Sequence, residues 1–286
     1  MPNFFKQTKD ISVGIIGGTG GMGKLFAHFF ERNGIRCEAA SRSTSLGIEE
    51  CASRNDIVII TVPIASTLET IRKVAPLVKE DGLLMDLTSL KKREVECMLD
   101  NSKCEVIGCH PVFGPSVSSF EKQVIVLTPS RGDKWLNLLK YLFDKENAVV
   151  KISTPEEHDR IMSVVQGLMH FTSITLIKTL MKTEMPSEIF NEYSSPVYRI
   201  RNDFASRILN QNPELYADIE LFNPETVPIL KKYIQSCREL MEVVENNDRD
   251  GFINEFNTAS GYIGDYKDTA EKKTNQIIDF VASLKG

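Results

Sequence analysis

Three glycines, Gly18, Gly20 and Gly23, stand between an apolar run and an amphipathic one, and that placement constrains the fold more than any other feature of the chain. Ile11-Ser12-Val13-Gly14-Ile15-Ile16 reads as a buried strand, and the run from Lys24 to Glu31 reads as a helix. A Gly-x-Gly-x-x-Gly between strand and helix is a dinucleotide-binding fingerprint. Gly18 permits the tight turn, Gly20 lets backbone approach a pyrophosphate, and Gly23 lets helix and strand pack closely. Thr19, Gly21 and Met22 complete the loop, whose amides at the helix N-terminus attract an anion. A flexible glycine turn shares the spacing but not the strand–turn–helix context.

The second strand departs from the usual pattern. A site for NAD carries Asp or Glu about 20 residues on, bonding the ribose 2′-hydroxyl. Here the strand Ile35-Arg36-Cys37-Glu38-Ala39-Ala40 ends in Ser41-Arg42-Ser43-Thr44. A carboxylate repels a 2′-phosphate, whereas Arg42 between Ser41 and Ser43 offers it forked, charged donors. NADP is therefore the expected cofactor, with NAD as the alternative if Arg42 is a solvated loop charge and the mid-strand Glu38 serves the ribose.

From Ile11 to about Lys151, apolar strands at 57–61, 83–87, 104–109, 124–127 and 148–152 alternate with helical runs at 66–79, 91–99 and 133–143. This α/β alternation predicts a Rossmann-type, doubly wound, mainly parallel sheet over residues 1–152. Ligands of such sheets bind beyond the carboxyl ends of the strands, which places Val62 and Pro63 beside the cofactor. Residues 153–286 read as all helical. Thr154-Pro155-Glu156-Glu157 starts a helix with an N-cap Thr, Pro at the first position and Glu three residues after the cap. It runs to about Lys182 and is apolar nearly all round, so it must be buried in its own domain or against another subunit. A helical dimerisation domain, and hence a homodimer, is the expectation. Further helices are predicted from Ser195-Pro196 to about Asn210, over 226–245, and over 249–284 with a break near Gly261 and Gly264.

Bulk properties exclude several classes. The net charge of −5, with no dense basic block, argues against nucleic acid as a partner. No run approaches 18 uninterrupted apolar residues, so no membrane span is expected. The first ten residues are polar and lack a signal-peptide core. Six cysteines without a Cys-x-x-Cys pair fit reduced thiols in a cytoplasmic protein.

Gly108-Cys109-His110-Pro111-Val112-Phe113-Gly114-Pro115 puts His110 at a strand's carboxyl end. There an imidazole could act as a base near neutral pH, or bond backbone in a tight turn. In Asp86-Leu87-Thr88-Ser89-Leu90-Lys91, Ser89 could orient that imidazole and Lys91 could hold an anion; alternatively Ser89 is an N-cap and Lys91-Lys92-Arg93 a solvated first turn. Cations there oppose the helix dipole, which favours a functional role. Glu156-Glu157-His158-Asp159 resembles a metal cluster, but capping explains its glutamates and no further His or Cys is suitably spaced. Arg199, Asp203 and Arg207 are spaced as an exposed salt-bridge ladder, worth about 0.3–0.5 kcal/mol per pair.

The ordered series GGTGGMG, TVP, DLTSLK, GCHPVFGP, EEHD, LMHF, SSPVYRIRNDFASR and LYADI resembles the prephenate dehydrogenase family. It is most similar to the dehydrogenase half of bifunctional chorismate mutase–prephenate dehydrogenases, from about Val13 to beyond Tyr216. The resemblance implies oxidative decarboxylation of prephenate to 4-hydroxyphenylpyruvate in tyrosine biosynthesis, with hydride passing to NAD(P). It implies His110 as the catalytic base, Ser89 in its hydrogen-bond network, and Arg207 on a substrate carboxylate. Lys91, His170 and Tyr216 are implied to line the same pocket. Ser41-Arg42-Ser43 replaces the family's common acidic residue, and Val112 a usual Met. The nearest alternatives are arogenate and 4-amino-4-deoxyprephenate as substrates, and a non-catalytic dinucleotide sensor. Neither a preceding mutase domain nor a C-terminal regulatory domain is expected.

Overall fold

Unbroken apolar runs make the centre of the sheet. In the computed structural model, which describes residues 11–283, the strands are β1 (Ser12–Ile16), β2 (Arg36–Ala40), β3 (Ile57–Ile60), β4 (Leu83–Asp86), β5 (Glu105–Pro111), β6 (Val124–Arg131) and β7 (Val149–Ile152). The polar first ten residues and the predicted helix end at Leu284 lie outside the described residues. One sheet results, in the order β2-β1-β3-β4-β5-β6-β7. Every neighbouring pair is parallel except β5 and β6, so the expected mainly parallel sheet is what forms. β1, β3 and β4 are buried at every position, as strands covered on both faces must be.

Successive strand residues feed opposite cores, because side chains alternate across a sheet. Val13, Ile15, Ile57 and Ile59 join one cluster with α1 (Gly21–Arg32), while Ile16, Val58 and Ile60 join another. The second cluster is closed by Ala52 of α2 (Ile48–Arg54), Ile71 and Val74 of α3 (Ile64–Val74), and Val95 and Met98 of α4 (Lys92–Asn101). The first takes Leu138, Leu139 and Phe143 from α5 (Lys134–Lys145), and Phe29 of α1 stacks on Phe143 with ring centroids 5.2 Å apart. Burying each such ring contributes about 1.5–3 kcal/mol.

The rest is helical: α6 (Pro155–Met162), a π-helical stretch (Ser163–Leu168), α7 (Met169–Met181), α8 (Ser187–Glu192), α9 (Pro196–Leu209), α10 (Pro213–Phe222), α11 (Thr226–Glu245), α12 (Arg249–Ile263) and α13 (Tyr266–Ser283). The hydroxyl of Thr154 accepts from the Glu157 amide at 3.2 Å, as its N-cap position requires. Gly264, at φ +60°, separates α12 from α13. The short helices α8 and α10 were not foreseen.

Two compact units divide the chain. One runs to Met162 and includes Ala217–Asn223; the other comprises Ser163–Tyr216 and the chain from Pro224. The division between these compact units falls inside the long helix, where His158, Asp159 and Met162 are buried within the sheet unit. In the second unit α7 packs on α9, and the π-helical stretch packs on α11. A Cβ on Gly167 would lie 3.2 Å from the Thr226 hydroxyl, which accounts for glycine there.

The helical run Pro155–Met181 is long and apolar enough, by length and composition alone, to cross a bilayer, although no 18 consecutive residues in it are all apolar. Polar residues such as Gln166 and His170 interrupt the run without offsetting its average. Val164, Val165 and Met169 are exposed on it.

Candidate functional site

The glycine turn lies where the sheet order reverses, between β1 and its neighbours β2 and β3, which is where open α/β sheets bind ligands. The turn works differently from the sequence reading. Gly17, which that reading passed over, has φ +86°, and a Cβ there would sit 2.7 Å from the Thr61 carbonyl oxygen. Gly18 is needed instead for close approach to β2, where its Cβ would lie 2.7 Å from that of Ala39. Gly23 packs α1 onto the turn, a Cβ there falling 2.6 Å from the Gly18 Cα. At Gly20 a Cβ would meet the Gly17 carbonyl oxygen at 3.3 Å, at Gly21, the first residue of α1, it would lie 2.9 Å from the Pro115 ring, and no side chain caps the helix. A cleft of about 720 Å³ opens beside this turn, lined by Thr19, Gly20, Ser41, Arg42, Ser43, Val62, Pro63, Lys73 and others. An uncapped helix N-terminus that opens on two glycines, with Arg42 on the adjacent loop, fits a dinucleotide's phosphates. Met22 corrects the expectation, since its side chain packs against the hydrophobic core and only its backbone belongs to the turn.

Ser41, Arg42 and Ser43 form a tight turn in which the Ser41 amide donates to the Thr44 hydroxyl at 2.7 Å. Glu38 is engaged elsewhere. The Arg54 guanidinium grips both its oxygens, at 2.7 and 2.9 Å, and Asn55 donates a third bond at 3.1 Å. The Arg54 hydrogen bonds hold the Glu38 carboxyl below its ordinary range.

Ser89 and His110 follow Asp86 and Gly108, which are paired across the parallel strands β4 and β5, so both stand at one end of the sheet. His110 is 2% exposed, and its Nδ1 lies 2.8 Å from Nε2 of His158, 48 residues away in sequence. The Nδ1 of His158 lies 2.7 Å from the Asp159 carboxylate. That carboxylate also accepts from the amides of Lys91 and Lys92, at 2.9 and 3.0 Å, thereby capping α4 from outside its own sequence. Burial alone would raise the Asp159 carboxyl, but its bonds from His158 and these amides outweigh burial and leave it below its ordinary range. An ionised Asp159 makes the His158 Nδ1 the donor, so neutral His158 presents a lone pair at Nε2 to the His110 Nδ1–H. Neutral His110 is thereby held with its own lone pair on Nε2. Desolvation pushes His110 well below the ordinary histidine range, with the neighbouring His158 and Lys91 charges adding to it. Desolvation lowers His158 too, although its bond to Asp159 opposes this. Asn223, carried back to this unit with Ala217–Asn223, donates to the Asp159 carbonyl at 2.8 Å, and Asp218 accepts from the Ala65 amide at the start of α3.

Lys91 is a second correction. Its side chain is fully buried, where Nζ pairs with Asp86 and donates to the Cys109 carbonyl at 3.1 Å. The charge expected to hold a substrate anion is neutralised inside the fold. At this helix start the Asp159 carboxylate meets the free amides and offsets the opposition of the cations to the helix dipole.

In the helical unit, the His170 and Tyr216 rings meet edge to face with centroids 4.6 Å apart. Burial raises the Tyr216 phenol, while the nearby Arg207 charge opposes it. Arg207 is exposed, and among the described residues neither Arg199 nor Arg207 forms an ion pair with Asp203, so the ladder does not form. Among the same residues no group of His, Cys, Asp and Glu could hold a metal. All six cysteines are free.

Several known proteins are similar to this chain. Residues 31–152 match the family model for prephenate dehydrogenase, nucleotide-binding domain, and residues 154–258 that for prephenate dehydrogenase, dimerization domain. A Methanocaldococcus jannaschii protein named probable arogenate/prephenate dehydrogenase is 39% identical over 277 residues, covering 90% of this chain and 62% of that protein. The chain thus spans less than two thirds of that relative. The T-protein of Haemophilus influenzae is 33% identical over 273 residues, covering 95% of this chain and 72% of its own. A crystal structure of prephenate dehydrogenase from A. aeolicus, in complex with hydroxyphenyl propionate and NAD+, superposes with a TM-score of 0.72 at 20% identity, over 93% of this chain and 98% of that one, a likeness of fold.

Proposed function

Since the chain belongs to the prephenate dehydrogenase family, we propose that it oxidises and decarboxylates prephenate to 4-hydroxyphenylpyruvate with NADP as its preferred acceptor. The observation that carries this reading is the orientation of His110, whose Nδ1 hydrogen is committed to His158, so that the neutral ring carries its basic lone pair on Nε2. The bound cofactor supplies the hydride acceptor; the glycine turn and the start of α1 hold its pyrophosphate, and Val62 and Pro63 line the same cleft. His110 takes the proton of the ring hydroxyl as hydride departs from the same carbon, and Ser89 shares that hydroxyl's hydrogen bonds. Loss of the opposite ring carboxylate as CO₂ is driven by aromatisation. The side-chain carboxylate pairs with Arg207, and His170 and Tyr216 support the ring. Proximity and one base suffice for this chemistry.

For the cofactor's 2′-phosphate, Arg42 supplies positive charge, while Lys73 in the same cleft is paired with Glu49 at 2.8 Å and Glu38 is held away by Arg54. The free cysteines are compatible with a reducing cytoplasm. A homodimer is supported by the apolar side chains left exposed on the long helix and by Phe204 on α9, all within the matched dimerization region; a second copy of the chain covers them. Sedimentation at twice the chain's mass is the expected result.

The test is a panel of prephenate, arogenate and 4-amino-4-deoxyprephenate against NADP and NAD, read by reduced-cofactor absorbance. Prephenate with NADP gives the highest kcat/KM. The name of the M. jannaschii relative makes arogenate the second reading. Cofactor binding with no turnover on any substrate identifies a sensor instead. Arg42→Ala lowers the NADP affinity at least ~10-fold and leaves NAD nearly unchanged, as loss of a charge-assisted phosphate contact requires.

A further inference from the structure

His158 is buried and bonded on both nitrogens, to the base on one side and to a carboxylate on the other, which leaves neither nitrogen for substrate. A packing residue needs neither bond. We propose that His158 is a proton relay: as the substrate hydroxyl proton enters His110 at Nε2, the Nδ1 proton of His110 passes to Nε2 of His158, and the positive charge comes to rest against Asp159. This inference rests on the reading of the chain as a dehydrogenase of a ring alcohol.

The steps balance without an added reactant. The substrate O–H bond breaks as an N–H bond forms on His110 Nε2. The His110 Nδ1–H bond breaks as an N–H bond forms on His158 Nε2. No electrons change owner in either transfer. When CO₂ leaves and the ring becomes a phenolate, the same path runs backward and returns the proton to oxygen.

Three observations favour the inner ring as the resting place of the charge. The two histidine nitrogens are 2.8 Å apart, within direct transfer distance. His158 has a carboxylate at its far nitrogen, 2.7 Å away, and the amides of Lys91 and Lys92 hold that carboxylate in place. Burial disfavours a charge on either ring, but Asp159 opposes that effect at His158, whereas His158 and Lys91 add to it at His110. The other nearby full charges, Lys91 and Asp86, are paired with each other. A base that hands its proton inward avoids accumulating charge where hydride must depart.

His158→Gln is the informative variant, because its amide oxygen can still accept the His110 Nδ1–H but cannot take a proton. The single-turnover rate should fall at least ~30-fold, within the range of general acid–base effects, with the KM for substrate and the dissociation constant for NADP changed less than ~2-fold. The rate's dependence on the deuterium fraction of the solvent should bow for the wild type, where two protons move together, and become straight in His158→Gln. A straight wild-type line, or a variant within ~3-fold of the wild-type rate, overturns the relay. Nitrogen NMR of the labelled imidazoles gives a readout independent of turnover. Both His110 and His158 should carry hydrogen on Nδ1 at neutral pH, and a hydrogen on Nε2 of neutral His158 overturns the proposal. Failure of the wild type to turn over any of the three substrates defeats the functional reading, and the nitrogen spectrum still decides the tautomers.

Discussion

Lys91→Met separates two roles for one lysine. Lys91 and Asp86 have no exposed side-chain surface, so removing the ammonium strands a carboxylate in the interior, which costs about 3–5 kcal/mol. Asp86 keeps hydrogen bonds from the Thr88 amide, at 3.0 Å, and from its hydroxyl, which puts the loss near the lower end, about 3 kcal/mol. Urea unfolding followed by tryptophan fluorescence reads it directly, because the chain's one tryptophan, Trp135, lies in α5 of the sheet unit. The KM for substrate in the folded variant should stay within ~2-fold, since no uniform binding contact has been removed. Adding Asp86→Asn should recover at least half the loss by removing the stranded charge, a coupling that a double-mutant cycle measures. A stability loss under about 1 kcal/mol together with a KM raised more than ~10-fold would refute the argument and return Lys91 to the substrate.

Other outcomes follow from the same geometry. His110→Asn should bind NADP normally but lose turnover by about 10²–10⁴-fold, measured in a single turnover. Because burial holds His110 below the ordinary histidine range, wild-type kcat/KM should be level at neutral pH and fall only well below pH 6.5, as the base becomes protonated. Arg207→Ala should raise the KM for substrate at least ~10-fold with a smaller change in kcat; an unchanged KM removes the residue from the site. Burial, and next the Asp86 charge, push Glu94 up to about 7 from its ordinary 4.5, and neither of its oxygens has a hydrogen-bond partner among the described residues. The folded state therefore holds this proton more tightly than the unfolded chain, and stability is lost as pH rises from 4.5 through about 7, by on the order of 3 kcal/mol. Glu94→Gln should flatten that loss and raise the urea midpoint at pH 8, and a variant less stable than wild type at pH 8 contradicts it.

Much of the fold is legible because its signals are local. The strand-period runs of β1, β3 and β4, the Pro155 helix start and the Gly264 break are all written in consecutive residues. The cofactor loop is legible for the same reason, although the left-handed φ at Gly17 and the inward turn of Met22 depend on neighbours in β3 and the core. The site is less so. Glu156-Glu157-His158-Asp159 carries the signal for the His158–Asp159 pair, but a helix cap explains its glutamates, and only folding brings His158 to His110 across 48 positions. Lys91 misleads for the complementary reason: its position suggests an exposed first turn, and its partner Asp86 is visible in sequence without any sign that both are buried.

The return of Ala217–Asn223 to the sheet unit has a consequence for protein engineering. A gene fragment stopped at Met162 would encode a nucleotide fold with its last piece missing: Ile64 and Leu90 would lose Ile219, the start of α3 would lose the Asp218 carboxylate, and the Asp159 carbonyl would lose Asn223. A chimaera that exchanges this fold between relatives must therefore carry a seven-residue passenger from more than fifty positions further along the chain, or leave an apolar scar at Ile64 and Leu90.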